Sequence, residues 1–418
     1  MISYPLPTWR PTVLALLMVI CAAPTVAAPL SFEAALQLAE HTAPSLEAED
    51  AQLEAVRQAA LPAGELPDPK LVLGVDNLPI TGTDRFSLGS DFMTMRRIGV
   101  VQDVPNADKR RARVEVAQGT VARVVAERRI ERLRVRRDTA LAWIARYTVE
   151  RKLALFDALY RENQLLADAV RSRMTAGRGL AMDSILPRQE AVALAERHDQ
   201  LERERSDAEA ALTRWTGALA NAPLAGAVPS WPINPEMLAQ HLHQHPELGL
   251  FNAKTQQAEA EVREAESSKK SDWSVELAYQ RRGQAFSDMA SIQFSFDLPV
   301  FATRRQNPQI AAKRAELVRI DAEREATLRE HVQALATDLA AYRQLDNAVR
   351  RQQVNLVPLA AEKVGLAMAA YAASQTDLAA VIAARSESID ARLKAVDLEG
   401  QRALVAARLH YTYGETQQ

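Results

Sequence analysis

One strand-stop-helix phrase occurs twice in this sequence. IGVVQDVPNADKRR, Ile98–Arg111, returns as IQFSFDLPVFATRR, Ile292–Arg305. Asp103-Val104-Pro105 matches Asp297-Leu298-Pro299, and Arg110-Arg111 matches Arg304-Arg305, both at a shift of 194. In each copy an alternating apolar–polar run is ended by Pro, and a long helical sequence follows. The duplication extends outward. HTAPSL at 41–46 resembles HQHPEL at 243–248. MTAGRGLAMDSILPRQE from Met174 lines up with YAASQTDLAAVIAARSE from Tyr371, and RWTG ending at Gly217 lines up with YTYG ending at Gly414. The chain is one unit written twice, and its fold must be assembled from two similar halves.

Each half has the same expected order: a short helix, a second helix opened by Pro44 or Pro246, two strands, a very long helical stretch, a turn and a final helix. The first half covers 28–217, with strands over about 70–78 and 85–102. The second covers 236–414, with strands over about 272–280 and 290–298. An Ala-, Pro- and Gly-rich linker, 218–235, joins them, and 415–418 is a tail. The long helical stretches run from about Asp108 to Ala176 and from about Thr303 to Ala373. About 65 to 70 residues at ~1.5 Å each make a rod near ~100 Å, too long for a compact soluble domain. Ala, Leu, Arg and Glu are abundant, which suits long helices. The expected class is mostly α with a small β part.

Residues 1–27 read as an export signal. Arg10 is followed by the apolar run Val13–Ala23, too short to span a bilayer, and then by small residues. Cys21, the single cysteine, lies inside it, so the exported chain has no disulfide; lipidation at Cys21 is the alternative to cleavage near Ala27. After residue 30 no apolar stretch has the length of a transmembrane helix.

The strands still point to a membrane. DWSVELAYQ sets Trp273, Val275, Leu277 and Tyr279 against Ser274, Glu276, Ala278 and Gln280. SIQFSFDL sets Ile292, Phe294, Phe296 and Leu298 against Ser291, Gln293, Ser295 and Asp297. In the first copy Phe86, Leu88, Phe92, Ile98 and Val100 share a parity. A transmembrane strand has about 9–11 residues, apolar outward and polar inward. A half-buried soluble sheet alternates similarly. In lipid, however, four strands cannot leave unpaired edges and cannot close alone, since barrels start at about eight. Several chains would have to share one wall.

The duplicated order, the HxxP starts at His41–Pro44 and His243–Pro246, the strand exits QDVP…KRR and FDLP…TRR, and the turns at Gly177–Asp183 and Ser374–Asp377 together resemble the TolC-type outer-membrane efflux proteins. The resemblance spans about 30 to 415. It implies a homotrimer with a twelve-stranded barrel in outer-membrane lipid and a helical tunnel in the periplasm. It also implies docking to a periplasmic adaptor and an inner-membrane RND pump. LPDPKLVLGVDNLPI and DFMTMRRIGVVQDVP look most like the heavy-metal branch, which implies metal cations as cargo. A drug or small organic duct of the same fold is the alternative, as is a non-channel, adaptor-like periplasmic rod.

The same resemblance makes Arg173, Gly177, Arg178, Asp183, Ser374 and Asp377 the candidates for the periplasmic tip, its gate and the adaptor contact. Asp183 is read as the first-copy equivalent of Asp377, and Arg173 and Arg178 as cations that pair with either acid. Plain helix capping by Asp is the competing role. Ala380 and Ala383 stand where the family often carries acids, which puts an acidic constriction there in doubt.

Two groups are candidate metal ligands. HLHQH holds His241, His243 and His245, of which the first and last would share a helix face. The competing role is a polar helix end, and His41 at the matching point of the first copy favours it. Met93 and Met95, opposite in parity to Phe92 and Ile98, would face a lumen where thioethers suit Cu(I); ordinary packing competes. The arginine-rich run 128–137 sits among Glu and Val in a helix and reads as an ion-pairing face rather than a nucleic-acid site. No nucleophile elbow, HExxH or phosphate loop occurs, so neither catalysis nor a cofactor is expected.

Overall fold

The computed structural model describes residues 29–414. The export segment 1–27 with Cys21, and the tail 415–418, lie outside the described residues.

The first half runs β1 (Leu30–Ser31), α1 (Phe32–Thr42), α2 (Pro44–Ala60), β2 (Lys70–Asp76), β3 (Met95–Val104), α3 (Ala107–Leu153), α4 (Phe156–Thr175) and α5 (Leu186–Thr216). After β4 (Leu224–Ala225) the second half follows: α6 (Pro235–Leu242), α7 (Pro246–Ser267), β5 (Trp273–Arg281), β6 (Met289–Phe296), α8 (Gln306–Arg351), α9 (Val357–Ala372) and α10 (Leu378–Leu409). The short β1 and β4 pair in parallel and tie the chain's start to the linker.

Local chemistry explains the boundaries. Ser31 caps α1 by accepting the Ala34 N–H at 3.2 Å, and Pro44 and Pro246 sit where a missing N–H costs nothing. Asn106 caps α3, accepting the Lys109 N–H at 2.9 Å while its amide donates to Asp272 at 2.8 Å. Asp272 also pairs with Lys109 at 2.6 Å, so one cluster ties the exit of β3 to the entrance of β5. The long helical stretches are each interrupted. The first breaks at Ala154–Leu155, without a proline. The second has a π-helical turn, Gln352–Leu356, just before Pro358, with the Val357 N–H on the Gln352 carbonyl.

The main core lies where α1, α3, α5 and α10 meet. Trp143 is fully buried there, donates its indole N–H to the Leu30 carbonyl at 3.2 Å, and packs edge-on against Phe32. Smaller clusters continue along the helices toward the tip, through Phe156, Leu159 and Leu194 and then Leu166, Leu378 and Val381. α3 and α7 approach closely because Gly119 has no side chain; a Cβ there would lie 2.8 Å from the Gln257 Cα. Arginines of the 128–137 run hold neighbouring helices: Arg132 and Arg136 both reach Glu40, at 2.8 and 2.5 Å, and Arg128 pairs with Asp50. No helix among the described residues is long and apolar enough to cross a membrane.

Candidate functional site

β2, β3, β5 and β6 form one antiparallel sheet in that order, so the central β3–β5 pair joins the two halves. The register is unbroken, so residues of one parity share a face. One face carries Leu71 and Leu73 of β2, Ile98 and Val100 of β3, Val275, Leu277 and Tyr279 of β5, and Ile292, Phe294 and Phe296 of β6. Arg96, Gln102 and Arg281 lie toward the ends of this face, and Val72 and Val101 fall on the second. Ile292, Phe294 and Phe296 are each about 60% exposed, against the few per cent normal for such residues in a core. That second face is otherwise polar. Arg97 sits 3.0 Å from Glu276 and 3.9 Å from Asp76, Lys70 pairs with Asp103 at 2.6 Å, and Ser274, Gln280, Ser291, Gln293 and Ser295 complete it. Gly99 leaves the room that Glu276 fills. Among the described residues the outer edges of β2 and β6 have no partner strand.

The strand expected over 85–102 begins only at Met95. Residues 77–94 form turns instead, because side chains there compete for the backbone: Ser87 Oγ accepts the Ser90 N–H at 3.0 Å and Asp91 accepts the Met93 N–H at 2.6 Å. Phe86, with φ 57°, Leu88 and Phe92 therefore belong to a loop, and their shared parity has no meaning as a strand face. Met95 opens β3 on the polar face, opposite Asp76; Met93 is half-exposed in the loop, so the two thioethers do not share a strand.

At the tip the halves interlock. The α4–α5 turn is closed by the Arg178 N–H on the Arg173 carbonyl at 2.9 Å with Gly177 at φ 68°; the α9–α10 turn is closed by the Gln375 N–H on the Ala370 carbonyl at 2.9 Å with Ser374 at φ 57°. Arg173 crosses between them. Its guanidinium lies 4.3 Å from the centre of the Tyr371 ring and donates to the Ala372 carbonyl at 3.2 Å and to Ser374 Oγ at 3.3 Å. It does not pair with Asp183 or Asp377, because those carboxylates are spent on backbone N–H groups. Asp377 caps α10 through the Ala380 N–H at 3.0 Å. Asp183, buried, reaches back to the Leu180 N–H at 3.1 Å and accepts from the Tyr371 hydroxyl at 3.4 Å. At the shift of 197 that aligns Gly177 with Ser374, the residue matching Asp377 is Leu180, so Asp183 is not its equivalent. The two acids secure helix starts from opposite ends of a capping box. Burial, then the Asp183 charge, pushes the Tyr371 hydroxyl above its ordinary pKa. Arg178 is exposed, as are Ala380 and Ala383.

The three histidines of HLHQH do not converge. α6 ends at Leu242, so His241 and His245 share no helix. His241 bonds the Tyr413 carbonyl at 3.2 Å, and His243 is exposed. His245 is buried and caps α7, its Nδ1 accepting the Glu247 N–H at 3.3 Å. Its neighbour is His331 of α8, with ring centres 4.0 Å apart, and His331 Nε2 lies 2.9 Å from Glu247 Oε2. Burial, reinforced by His331, holds the His245 imidazole down at about 4, and the His331 contact lowers the Glu247 carboxyl. His331 stands 86 residues beyond His245, and no local spacing announces the pair.

No protein-family model and no curated protein matches the sequence. Solved structures do match. The chain is similar to a membrane protein from Pseudomonas aeruginosa (TM-score 0.79, 16% identity, 92% of this chain and 90% of that one). It is similar to CusC, known for transmembrane channel formation (TM-score 0.78, 14% identity, 94% of each chain). It is also similar to the outer membrane protein VceC of Vibrio cholerae (TM-score 0.75, 17% identity, 92% and 96%).

Proposed function

We propose that this chain, whose fold is that of the TolC-type outer-membrane channels, is one subunit of a homotrimeric efflux duct. The observation that carries the reading is the sheet. It has one exposed apolar face, one charged and polar face, and two free edges. In hydrocarbon those edges leave N–H and C=O groups unpaired, at several kcal/mol each. Pairing β2 of one protomer with β6 of the next removes every edge, and three chains give twelve strands with the polar faces turned to a lumen. The α3–α4 and α8–α9 rods then continue the cylinder into the periplasm, where a periplasmic adaptor and an inner-membrane RND pump meet the tip.

The duct is passive and lowers the barrier by supplying a wet path; the pump supplies the energy. Arg173, Gly177, Arg178, Asp183, Ser374 and Asp377 shape the narrow end and the adaptor contact. Tyr371, hydrogen-bonded to Asp183 across the halves, belongs with them as a latch. Heavy-metal cations are the cargo we favour, on the resemblance of Leu66–Ile80 and Asp91–Pro105 to the metal branch and on Met95 at the polar face. Single-channel recording of the purified protein tests the duct. Steady conductance is expected, and higher in Tyr371→Phe; an electrically silent protein rejects the proposal. Sensitivity of a deletion strain to copper, zinc and an organic drug tests the cargo, and sensitivity to the drug alone rejects the metal assignment.

A further inference from the structure

The cluster at the start of α7 lies far from both the sheet and the tip, and neither needs it. His245, Glu247 and His331 bring three ligand atoms within 4.8 Å of one another. Two imidazoles and a carboxylate are a donor set that nitrogen-preferring divalent metals take, with a position left open. A metal bonded at about 2.0–2.2 Å holds its ligand atoms about 3–3.5 Å apart, so side-chain adjustment of about 1 Å closes the site.

The hydrogen bonds around His331 point the same way. Tyr413 donates its hydroxyl to the His331 carbonyl at 3.4 Å. The same oxygen lies 3.5 Å from His331 Nδ1, within reach of a second-shell hydrogen bond to that nitrogen. Nε2 faces the Glu247 carboxylate at 2.9 Å. When Nδ1 carries the ring proton, Nε2 and the carboxylate both present lone pairs to the same space, as metal ligands do. His245 joins by giving up its 3.3 Å cap bond. Arg137 lies close enough to oppose a cation, but its guanidinium is engaged by Asp138 at 2.8 Å. His245 is buried and the Glu247 side chain is 45% exposed, so the cluster has one open side through which an ion enters.

The repeat gives an internal control. At the shift that aligns Pro44 with Pro246, His245 and Glu247 correspond to Ala43 and Ser45. Any shift between 194 and 197 sets His331 against 134–137, which reads Arg-Val-Arg-Arg. The first half builds the same helix start with no metal-binding side chain, so the architecture does not demand the cluster. Tyr413 is carried on a π-helical turn, His410–Gly414, a local irregularity that recurs at functional sites.

We infer that His245, Glu247 and His331 bind one divalent transition cation of the zinc, cobalt or nickel kind. The ion pins the start of α7 to the middle of α8, with Tyr413 orienting His331. The inference does not rest on the duct reading. The test uses the untagged full mature chain in detergent, stripped with a chelator and titrated with Zn(II) by calorimetry and with Co(II) by visible absorption. One ion per chain and a raised melting temperature are expected. His331→Ala and Glu247→Gln should each weaken binding by about ten- to hundred-fold or more, while His243→Ala binds as the parent does. Glu247 is half-exposed, so its variant keeps the test open if His331→Ala unfolds. Absence of uptake by the parent chain, unchanged uptake in Glu247→Gln, or loss in His243→Ala overturns the inference.

Discussion

The two tip turns use one backbone solution and two residue types. Gly177 and Ser374 both close a helix at positive φ with the same pattern of hydrogen bonds, yet only glycine adopts that conformation without steric cost. The same contrast recurs along the chain. Asn106 caps α3 with its side chain, whereas α8 starts at Arg305 with no side-chain cap. α7 starts at His245, whereas α2 starts at Ala43, again with no side-chain cap. The halves therefore share a plan of helices and strands while their polar chemistry has diverged. What both halves keep is what the plan needs physically. What one half alone carries is where a separate role is to be sought.

The largest expected effect concerns a feature the halves share, the apolar face. Val100 and Leu277 are cross-strand partners at the junction of the halves. Arginine at either position should cost about 2–4 kcal/mol per strand in lipid and deplete the assembled protein from the outer membrane. Gln293→Arg, on the polar face, should leave assembly intact. Equal behaviour of Leu277→Arg and Gln293→Arg in a membrane-fraction assay would remove the distinction between the faces.

The next effect separates the halves. His245 is held at about 4 by burial and by His331, below its unfolded value. Between about pH 6.5 and 4 the unfolded chain binds the extra proton, so stability rises with pH in that window and is lost as pH falls through it. The loss is at most about 3 kcal/mol. His245→Asn keeps a capping side chain and should flatten this part of a pH–stability profile measured with metal absent. An unchanged profile would show that His245 does not titrate as described.

Packing comes third. Gly119→Ala drives a methyl into the α7 backbone and should destabilise by about 1–3 kcal/mol. Gly249→Ala, in the facing helix α7 with nothing within 4 Å, should stabilise by about 0.5–1 kcal/mol. Thermal unfolding of the pair reads both signs. The smallest effect is at the tip. Gly177→Ala should cost about 1 kcal/mol, and Ser374→Gly should gain a few tenths to about 1 kcal/mol, by the same melting measurement. A gain in both variants would mean that the turns are not the equivalent caps described.

Much of this fold was legible because it is written twice. Proline-marked helix starts, alternation at Trp273–Tyr279 and the duplicated strand exits are short-range signals, and the elements appear where those signals lie. The failures are of two kinds: local side chain-to-backbone bonds that outcompete the expected strand or ion pair, and partners distant in sequence. Alternation through Phe86–Phe92 lost to serine and aspartate bonding their own backbone. The arginine–aspartate pairs expected at the tip lost to backbone amides that lie closer to the acids. His245 was visible as one of a histidine string, but its companions are Glu247 and a histidine on another helix. Tyr371 and Asp183, 188 residues apart, meet only when the halves pack.

The central claim is that a four-stranded sheet with an apolar face must be sealed by other copies of the same chain. Native mass spectrometry of the protein extracted from outer membranes in mild detergent tests it most directly. Particles of three chains, dissociating only on harsh denaturation, are the expected result. A monodisperse single chain, soluble in water without detergent, would contradict it.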